Sequence, residues 1–375
     1  MAQGFSLKDQ LFNATTVAEL AGEISAGVPG FDAAGFQADV LSGFAERELM
    51  ARLDWIADCL EPHLSADFLE MAYQLEASMP ARLDPSRTDD DFGHFIHAVP
   101  GILAVRHGME EHRERALNLL YEATQRFSME FYIRPFLNRW PDETLARLKV
   151  WATDENYHVR RLVSEGTRPS LPWAKKLDID PMVPLEFLDV LHADGARFVT
   201  RSVANHLNDI SKFNSDAVLG RLDQWRGVGK QNEKELGWMT SHALRTLIKQ
   251  GHSGALQRLG YRNDINVDAK LDIVSQPVTI GKTLEFKASL SAPEDLPVLV
   301  DYILHFHRPS GKPGRKVFKL KQSNVKAGQK LQLEKVHKLK GNATTFKLHP
   351  GPHRIDLQVN GVVVAGEDFE LRAQL

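Results

Sequence analysis

The chain has 375 residues, 43% of them hydrophobic and 25% charged, a length that favours two domains over one and a composition able to bury a real core. The formal net charge of −3 excludes reading nucleic-acid binding from bulk basicity, and the single cysteine, Cys59, excludes an intramolecular disulfide framework and suits a reducing cytoplasm. No apolar run reaches the length of a membrane span, and Met1-Ala2-Gln3-Gly4-Phe5 leads into polar, helix-like sequence without an apolar h-region, so a cytoplasmic protein without membrane association is expected.

From the N-terminus to about residue 265, apolar residues recur at helical spacing and Gly or Pro marks the breaks. Leu49, Leu53, Ile56, Leu60 and Leu64 form one stripe; Leu117, Leu119, Leu120, Ala123 and Phe127 form part of another. Residues 128–173 then gather more chemistry than packing requires: Glu130, Arg134, Arg160, Arg161, Glu165, Arg168 and Trp173 fall among two or three short predicted helices. Each has an ordinary alternative. Glu130 with Arg134, and Arg161 with Glu165, have the spacing of surface ion pairs on a helix, and Trp173 beside Pro172 could cap a core.

An internal repeat of forty residues runs through this half. Leu148, Val150, Asp154, Val159, Arg161 and Glu165 return as Leu188, Val190, Asp194, Val199, Arg201 and Asn205, and a looser third unit, Trp238 to Arg245, places Arg245 forty after Asn205. Such a period, with apolar positions in a helix-turn-helix pattern, predicts HEAT-like repeats stacking into a solenoid. The polar column Glu165, Asn205, Arg245 is expected to line one surface, the concave one, with Arg161 and Arg201 near its edges.

Composition changes at Arg262-Asn263-Asp264-Ile265-Asn266, dividing a helical domain, 1–265, from a β domain, 266–375. Short alternating runs such as 284–290 and 354–359 appear, and Asn360-Gly361 signals a hairpin. About seven short strands predict a small immunoglobulin-like sandwich. The fold class expected is therefore mainly α, a helical-repeat solenoid followed by an all-β module. The helical part carries 29 Lys and Arg against 38 Asp and Glu; the β part carries 17 against 11. Within 308–347 twelve basic residues accompany one acid, Glu334. This is either a solvated face or a phosphate-contacting patch, in which Lys312, Arg315 and Lys316 occupy a turn able to reach a nucleic-acid backbone. His305, His307, His337, His349 and His353 lack a recognised ligand spacing, so no metal is expected.

The segments Phe127–Leu137, Asp154–Arg161, Glu165–Pro169, Leu171–Trp173, Asn205–Lys212 and Ser241–Leu247 together resemble the AlkC branch of bacterial DNA alkylation-repair glycosylases, over about residues 5–260. The β module matches by architecture more than by motif, since only some members carry it. The resemblance implies a monofunctional enzyme without cofactor that removes N-methylated bases, chiefly 3-methyladenine and also 3-methylcytosine and 1-methyladenine. It acts on double-stranded DNA without flipping the base into a pocket, and no obligate protein partner is implied. By the same resemblance the catalytic carboxylates map onto Glu130 and Glu165, with Trp173 lining the lesion. Arg134, Arg160, Arg161, Arg168, Arg201, Asn205, Lys212, His242 and Arg245 are then the DNA-binding candidates. His242 stands where the related AlkD branch uses a tryptophan, which puts an aromatic-cradle role for that repeat in doubt.

The residue types suit this chemistry. An alkylated purine is already cationic and leaves without protonation, so the demand is on positive charge developing at deoxyribose. A carboxylate near the sugar stabilises that charge and orients water, while a tryptophan face attracts the cation. A catalytically silent repeat scaffold that binds DNA or protein is the alternative, and an acid pair gathered at one surface point discriminates against it.

Overall fold

The computed structural model describes residues 6–309, 311, 314–341 and 347–373. Two compact units are delimited, Met1–Asn214 with Gly220–Ala243, and Ser215–Leu219 with Leu244–Leu375. No helix among the described residues is long and apolar enough to cross a membrane.

The first unit opens with α1 (Leu7–Leu11), α2 (Ala14–Gly27), α3 (Ala33–Ser42) and α4 (Leu49–Leu60). Asn13 caps α2 with a capping box: its side chain accepts from Thr15 and Thr16 N–H while Thr16 Oγ1 accepts from Asn13 N–H. Leu53, Ile56 and Leu60 bury the inner face of α4, and Pro62 follows in a short 3-10 turn before Leu64 can extend the stripe. Next come α5 (Phe68–Ala77), α6 (Val99–Leu103) and α7 (Arg113–Thr124), whose Leu117, Leu119, Leu120 and Ala123 are buried.

After α8 (Ile133–Arg139), the forty-residue repeat is visible as two helix pairs, α9 (Pro141–Trp151) leading to α10 (Tyr157–Gly166), then α11 (Leu185–Leu191) leading to α12 (Arg197–Ile210). Equivalent positions behave alike. Leu148 and Leu188 are fully buried, Val150 and Val190 exposed, and Val159 and Val199 fully buried. Asp154 Oδ1 accepts from Asn156 N–H and Asp194 Oδ1 from Ala196 N–H, both at 2.8 Å, turning the chain into α10 and α12 in the same way. After α13 (Ser215–Val228), α14 (Glu233–Ala243) supplies the third unit with Met239 buried at the Val159 position. Here the expected register fails, because α14 ends at Ala243 and Arg245 begins a new helix, α15 (Arg245–Lys249). Arg245 therefore does not continue the column that Glu165 and Asn205 occupy on α10 and α12.

In the second unit α15 and α16 (Ser253–Arg258) precede eight strands among the described residues, against about seven expected. The strands β1 (Asp268–Ile273), β3 (Thr283–Ser291) and β6 (Lys330–Lys338) form one antiparallel sheet. The other sheet runs β2 (Val278–Thr279), β8 (Val362–Arg372), β7 (Gly351–Val359), β4 (Leu296–Phe306), β5 (Gly314–Val325), with only β2–β8 parallel. Phe286, Tyr302, Leu304, Ile355 and Leu357 are buried in the shared core of this immunoglobulin-like sandwich. The Asn360-Gly361 hairpin forms as expected, with φ of 47° and 82° and Val359 opposite Val362. Its turn is also a structural anchor. Asn360 is fully buried and bonds Leu299 N–H, Pro297 O and Arg262 O, and a Cβ at Gly361 would lie 2.6 Å from Gly251 Cα. That close approach ties the sheet to the α15–α16 turn, so these helices pack with the sandwich although the change of secondary structure comes later, at 262–266.

Candidate functional site

Glu130 lies in the turn that enters α8, where Met129, Ile133, Phe136 and Leu137 are fully buried and hold the segment down. Gly166, at the end of α10, lets that turn approach closely: a Cβ there would sit 2.5 Å from Ile133 Cγ2 and 3.9 Å from Glu130 O. Glu130 thus faces α10 and not its own helix. Its Oε2 accepts from Ser128 Oγ at 2.7 Å and Arg161 Nη1 at 3.0 Å. The ordinary pairing with Arg134 is not made.

On α10, His158, Arg161 and Glu165 share one face, spaced i, i+3, i+7, and Asn156 caps the helix through His158 N–H at 2.8 Å. Glu165 is buried; Oε2 accepts from Ser202 Oγ at 2.5 Å, Oε1 from Arg168 Nη1, and Arg161 Nη2 lies 4.0 Å away. Arg168 Nε continues to Asp209 Oδ2 at 2.9 Å, and Lys212 Nζ to Asp209 Oδ1 at 2.9 Å. The result is a charge chain of alternating sign, Glu130, Arg161, Glu165, Arg168, Asp209, Lys212, crossing three elements. A buried charge chain of this kind is tolerated because each member is paired and hydrogen-bonded.

The two glutamates are pushed apart electrostatically. Burial, with the nearby Glu165 charge, raises the Glu130 pKa although Arg161 opposes it. Burial acts on Glu165 too, but Arg161, Arg168 and the Ser202 hydroxyl outweigh it and hold that carboxyl below its usual range. One acid is therefore kept ionised while the other is poised to take a proton more readily.

Both open into one cavity of about 520 Å³. Phe92, Phe95, Phe127, Phe131 and Phe198 give it apolar walls, and Arg161 lies 4.3 Å over the Phe198 ring. Trp173 stands at its edge, 68% exposed and at φ +60°. A large exposed indole on a left-handed residue is conformationally costly and is retained at sites that present a side chain. Among the described residues, no cluster of three His, Cys, Asp or Glu side chains converges to hold a metal.

The remaining candidates separate into distinct settings. Arg134, expected on DNA, is 1% exposed and donates to Lys175 O at 2.7 Å, Gly166 O at 3.0 Å and Arg168 O at 2.8 Å. Burial and Arg168 pull its guanidinium down to about 10. With its donors on three carbonyls it braces the loop that carries Trp173 and presents nothing to a phosphate. Arg160 is corrected likewise: it is spent on Asp194, at 2.5 and 2.9 Å, and on the carbonyls of Asp154 and Glu155, joining the two repeats. Arg201 pairs with Asp89 and Asp90 at 3.0 and 2.9 Å. Asn205 Oδ1 meets His242 Nε2 at 2.8 Å, and His242 stacks on Trp238 with centroids 4.8 Å apart. In the second unit, Arg245, Arg315 and Lys316 are at least partly accessible, with Arg315 and Lys316 beside Lys249 and Gln250; Lys312 lies outside the described residues. Several participants escape the sequence reading. His158 was legible from its spacing to Arg161, and Lys175 and Lys176 from their place after Trp173. Ser202, Asp91 and Phe92 carry no local signal and reach the site only through tertiary packing.

Comparison with known proteins completes this picture. Residues 267–373 match the family described as YhaZ, C-terminal Ig-like domain. The Bacillus subtilis (strain 168) protein described as Uncharacterized protein YhaZ is 35% identical over 265 residues, 69% of this chain and 72% of that one. The solved structure of Pseudomonas fluorescens alkylpurine DNA glycosylase AlkC bound to DNA containing an abasic site analog superposes with a TM-score of 0.85 and 32% identity, over 98% of this chain and 100% of that chain. Likeness at this identity along both domains means that the chain belongs to the AlkC-type family of DNA alkylation-repair glycosylases, in the form that joins HEAT-like repeats to a C-terminal immunoglobulin-like domain.

Proposed function

We propose that the protein is a monofunctional glycosylase of base excision repair that hydrolyses the N-glycosidic bond of N-alkylated bases in duplex DNA. The lesions are cations: 3-methyladenine, and also 3-methylcytosine and 1-methyladenine. The observation that carries the reading is the pair of buried carboxylates, Glu130 and Glu165, opening with Arg161 and Arg168 into one cavity edged by the exposed Trp173. The relative from Pseudomonas fluorescens, described as bound to DNA containing an abasic site analog, supports DNA as the partner.

The geometry suits a reaction without metal or covalent intermediate. The glycosidic bond of a cationic base breaks with its electron pair returning to the base, and positive charge grows on the sugar. Ionised Glu165, held by two arginines and Ser202, offers fixed negative charge to that oxocarbenium character, and the Trp173 face attracts the lesion cation. Arg161 and Arg168 keep the carboxylates ionisable and oriented rather than reading phosphates. The glycosidic bond is cleaved with the base still in the duplex against the repeat surface, without a base-binding pocket. Accessible cations, Lys175, Lys176 and Lys212, together with Asn205, His242 and Arg245, are the phosphate and sugar contacts of the helical part, while Arg201 is taken up by Asp89 and Asp90. The immunoglobulin-like domain, 266–375, clamps DNA through Lys312, Arg315 and Lys316. The enzyme needs no cofactor or obligate protein partner and works in the bacterial cytoplasm.

The test is release of methylated bases from alkylated duplex DNA by purified protein in the presence of a chelator. Wild type is expected to free 3-methyladenine and leave an intact abasic strand. No release of any of the three lesions would return the protein to the scaffold reading, and wild-type rates in both Glu130→Gln and Glu165→Gln would overturn the assignment of the two carboxylates.

A further inference from the structure

A second polar cluster in the cavity wall stands apart from the alternating charge chain. Asp91 belongs to the segment 84–93, and its side chain and that of His158 are at least nine-tenths buried. Asp91 Oδ1 lies 3.6 Å from Arg87 Nη1, whereas neither its Oδ2 nor the neighbouring Tyr157 hydroxyl completes a hydrogen bond of good geometry. His158 Nε2 is 4.0 Å from Asp91 Oδ2 and is equally without a partner. Burial and the Arg161 charge hold His158 down to about 4, so its imidazole is neutral at neutral pH. The Tyr157 ring packs on His158 with centroids 4.1 Å apart, and burial together with the Asp91 charge pushes its hydroxyl up to about 12.

Two buried polar atoms without partners, facing each other across a gap too long for a direct hydrogen bond, are costly unless a third polar group joins them. A recess lined by a carboxylate oxygen and an imidazole nitrogen, opening on a cavity, is the kind of place that orders a water molecule. His158 shares its helix face with Arg161 and Glu165, so such a water would lie on the wall that also presents the carboxylates. Glu165 is unsuited to hold it, since both its oxygens are engaged by Arg168 and Ser202.

We propose that Asp91 Oδ2 and His158 Nε2 hold the water that attacks the sugar, with Asp91 as the base that takes its proton. The inference rests on the glycosylase reading above. The substrate base is cationic and both products are neutral, so each turnover must release one proton. The C1′–N bond breaks with its electron pair going to the base, which loses its charge. The water oxygen bonds to C1′, and one water proton passes to the Asp91 carboxylate and then to solvent. His158, neutral, orients the water without adding positive charge beside the developing cation. Glu165 and Glu130 stabilise charge, and Asp91 handles the nucleophile.

The test combines Asp91→Asn and His158→Gln, each assayed for single-turnover base release, duplex affinity and product partition in water–methanol mixtures. Each variant is expected to slow release on the order of a hundredfold while affinity is kept. The fraction of methyl deoxyriboside, formed when methanol replaces water at C1′, is expected to rise above wild type because the held water no longer has preference. A purely structural role would not move that partition. A crystal structure of the wild type with ordered solvent gives an arm independent of activity, with a water expected within hydrogen-bonding reach of both atoms. Wild-type release with unchanged rates and partition in both variants, or a dry gap between the two atoms, overturns the water assignment alone. No release by the wild type overturns the glycosylase reading and this one together.

Discussion

Glu130 and Glu165 are the same side chain in two electrostatic settings, and the difference is made by which arginines each one faces. Charge stabilisers of this kind are worth roughly a hundredfold or more in rate, so Glu165→Gln should lower single-turnover base release by about that factor with duplex affinity kept. The raised pKa of Glu130 makes a separate prediction. If its ionised form is required, the acid limb of the rate profile should fall above the usual 4.5 of a glutamate, because burial and Glu165 favour the protonated form. Glu165→Gln should move that limb to lower pH in the residual activity, since it removes one of the raising charges. An unmoved limb would assign it to another group. His206, fully buried against Ser164 O, bears on stability instead. Burial depresses it from 6.5 to about 4, so between those values the unfolded chain binds the proton and the folded one does not. Stability is therefore fully present above pH 6.5 and is lost as pH falls toward 4, by roughly 3 kcal/mol at the limit. Urea unfolding at about pH 7 and about pH 5 should show this loss, and His206→Gln should reduce it.

At the level of elements, the loop between α10 and α11 is organised from outside itself. Arg134 binds carbonyls at both ends of the segment 166–175, and Asn138, one turn further along α8, donates to Lys176 O at 2.9 Å and accepts from Asp178 N–H at 3.0 Å. Replacing Arg134 leaves three carbonyls without a donor in a buried place. Arg134→Gln should cost about 3 kcal/mol or more in urea unfolding. It should also open the chain to trypsin at Lys175 and Lys176 under native conditions. A stable variant resistant at those bonds would mean that the loop holds itself. The repeat explains why α10 and α12 pack as they do. Asp154 and Asp194 each accept from the backbone N–H two residues on at the start of their helices, and Arg160 then links the second repeat to the first through Asp194. The repeat was legible because a period of forty preserves burial at its apolar positions, Leu148 and Leu188, Val150 and Val190, Val159 and Val199. Arg245 was misplaced because a period cannot show that α14 ends two residues early.

For the whole molecule, charge is divided by sequence position: acidic through 265 and basic after it. In the helical part several of the arginines are neutralised by partners, Arg160 by Asp194, Arg168 by Asp209 and Glu165, Arg201 by Asp89 and Asp90. Affinity for a polyanion then depends on cations that remain accessible, including those of the β domain. Neutralising Lys312, Arg315 and Lys316 in the full chain should weaken duplex binding and flatten its log–log salt dependence by roughly one unit for every phosphate no longer neutralised. Equal slopes for variant and wild type across a salt series would make the basic stretch a solvated face. Asp301 offers an internal control for the same domain: burial raises it to about 6, so Asp301→Asn should stabilise the protein near neutral pH, where ionising the buried carboxyl is unfavourable.

The sequence by itself determined the helical repeats, the β module with its Asn360-Gly361 turn, and the short list containing Glu130, Glu165 and Trp173. The repeats and the β module follow from local rules, since periodicity and turn chemistry act within a few residues or a fixed repeat, whereas the short list rests on the resemblance of its motifs to a known family. It could not tell which arginines meet solvent. Arg134, Arg160 and Arg161 look alike in sequence, yet one braces a loop, one joins two repeats and one faces both glutamates. Only the tertiary structure decided that, because pairing depends on which carboxylates and carbonyls distant segments bring within about 3 Å. The same holds for Asp91 and His158, sixty-seven residues apart and 4.0 Å in space, whose juxtaposition is written in the packing of a loop against a helix and nowhere in either segment alone.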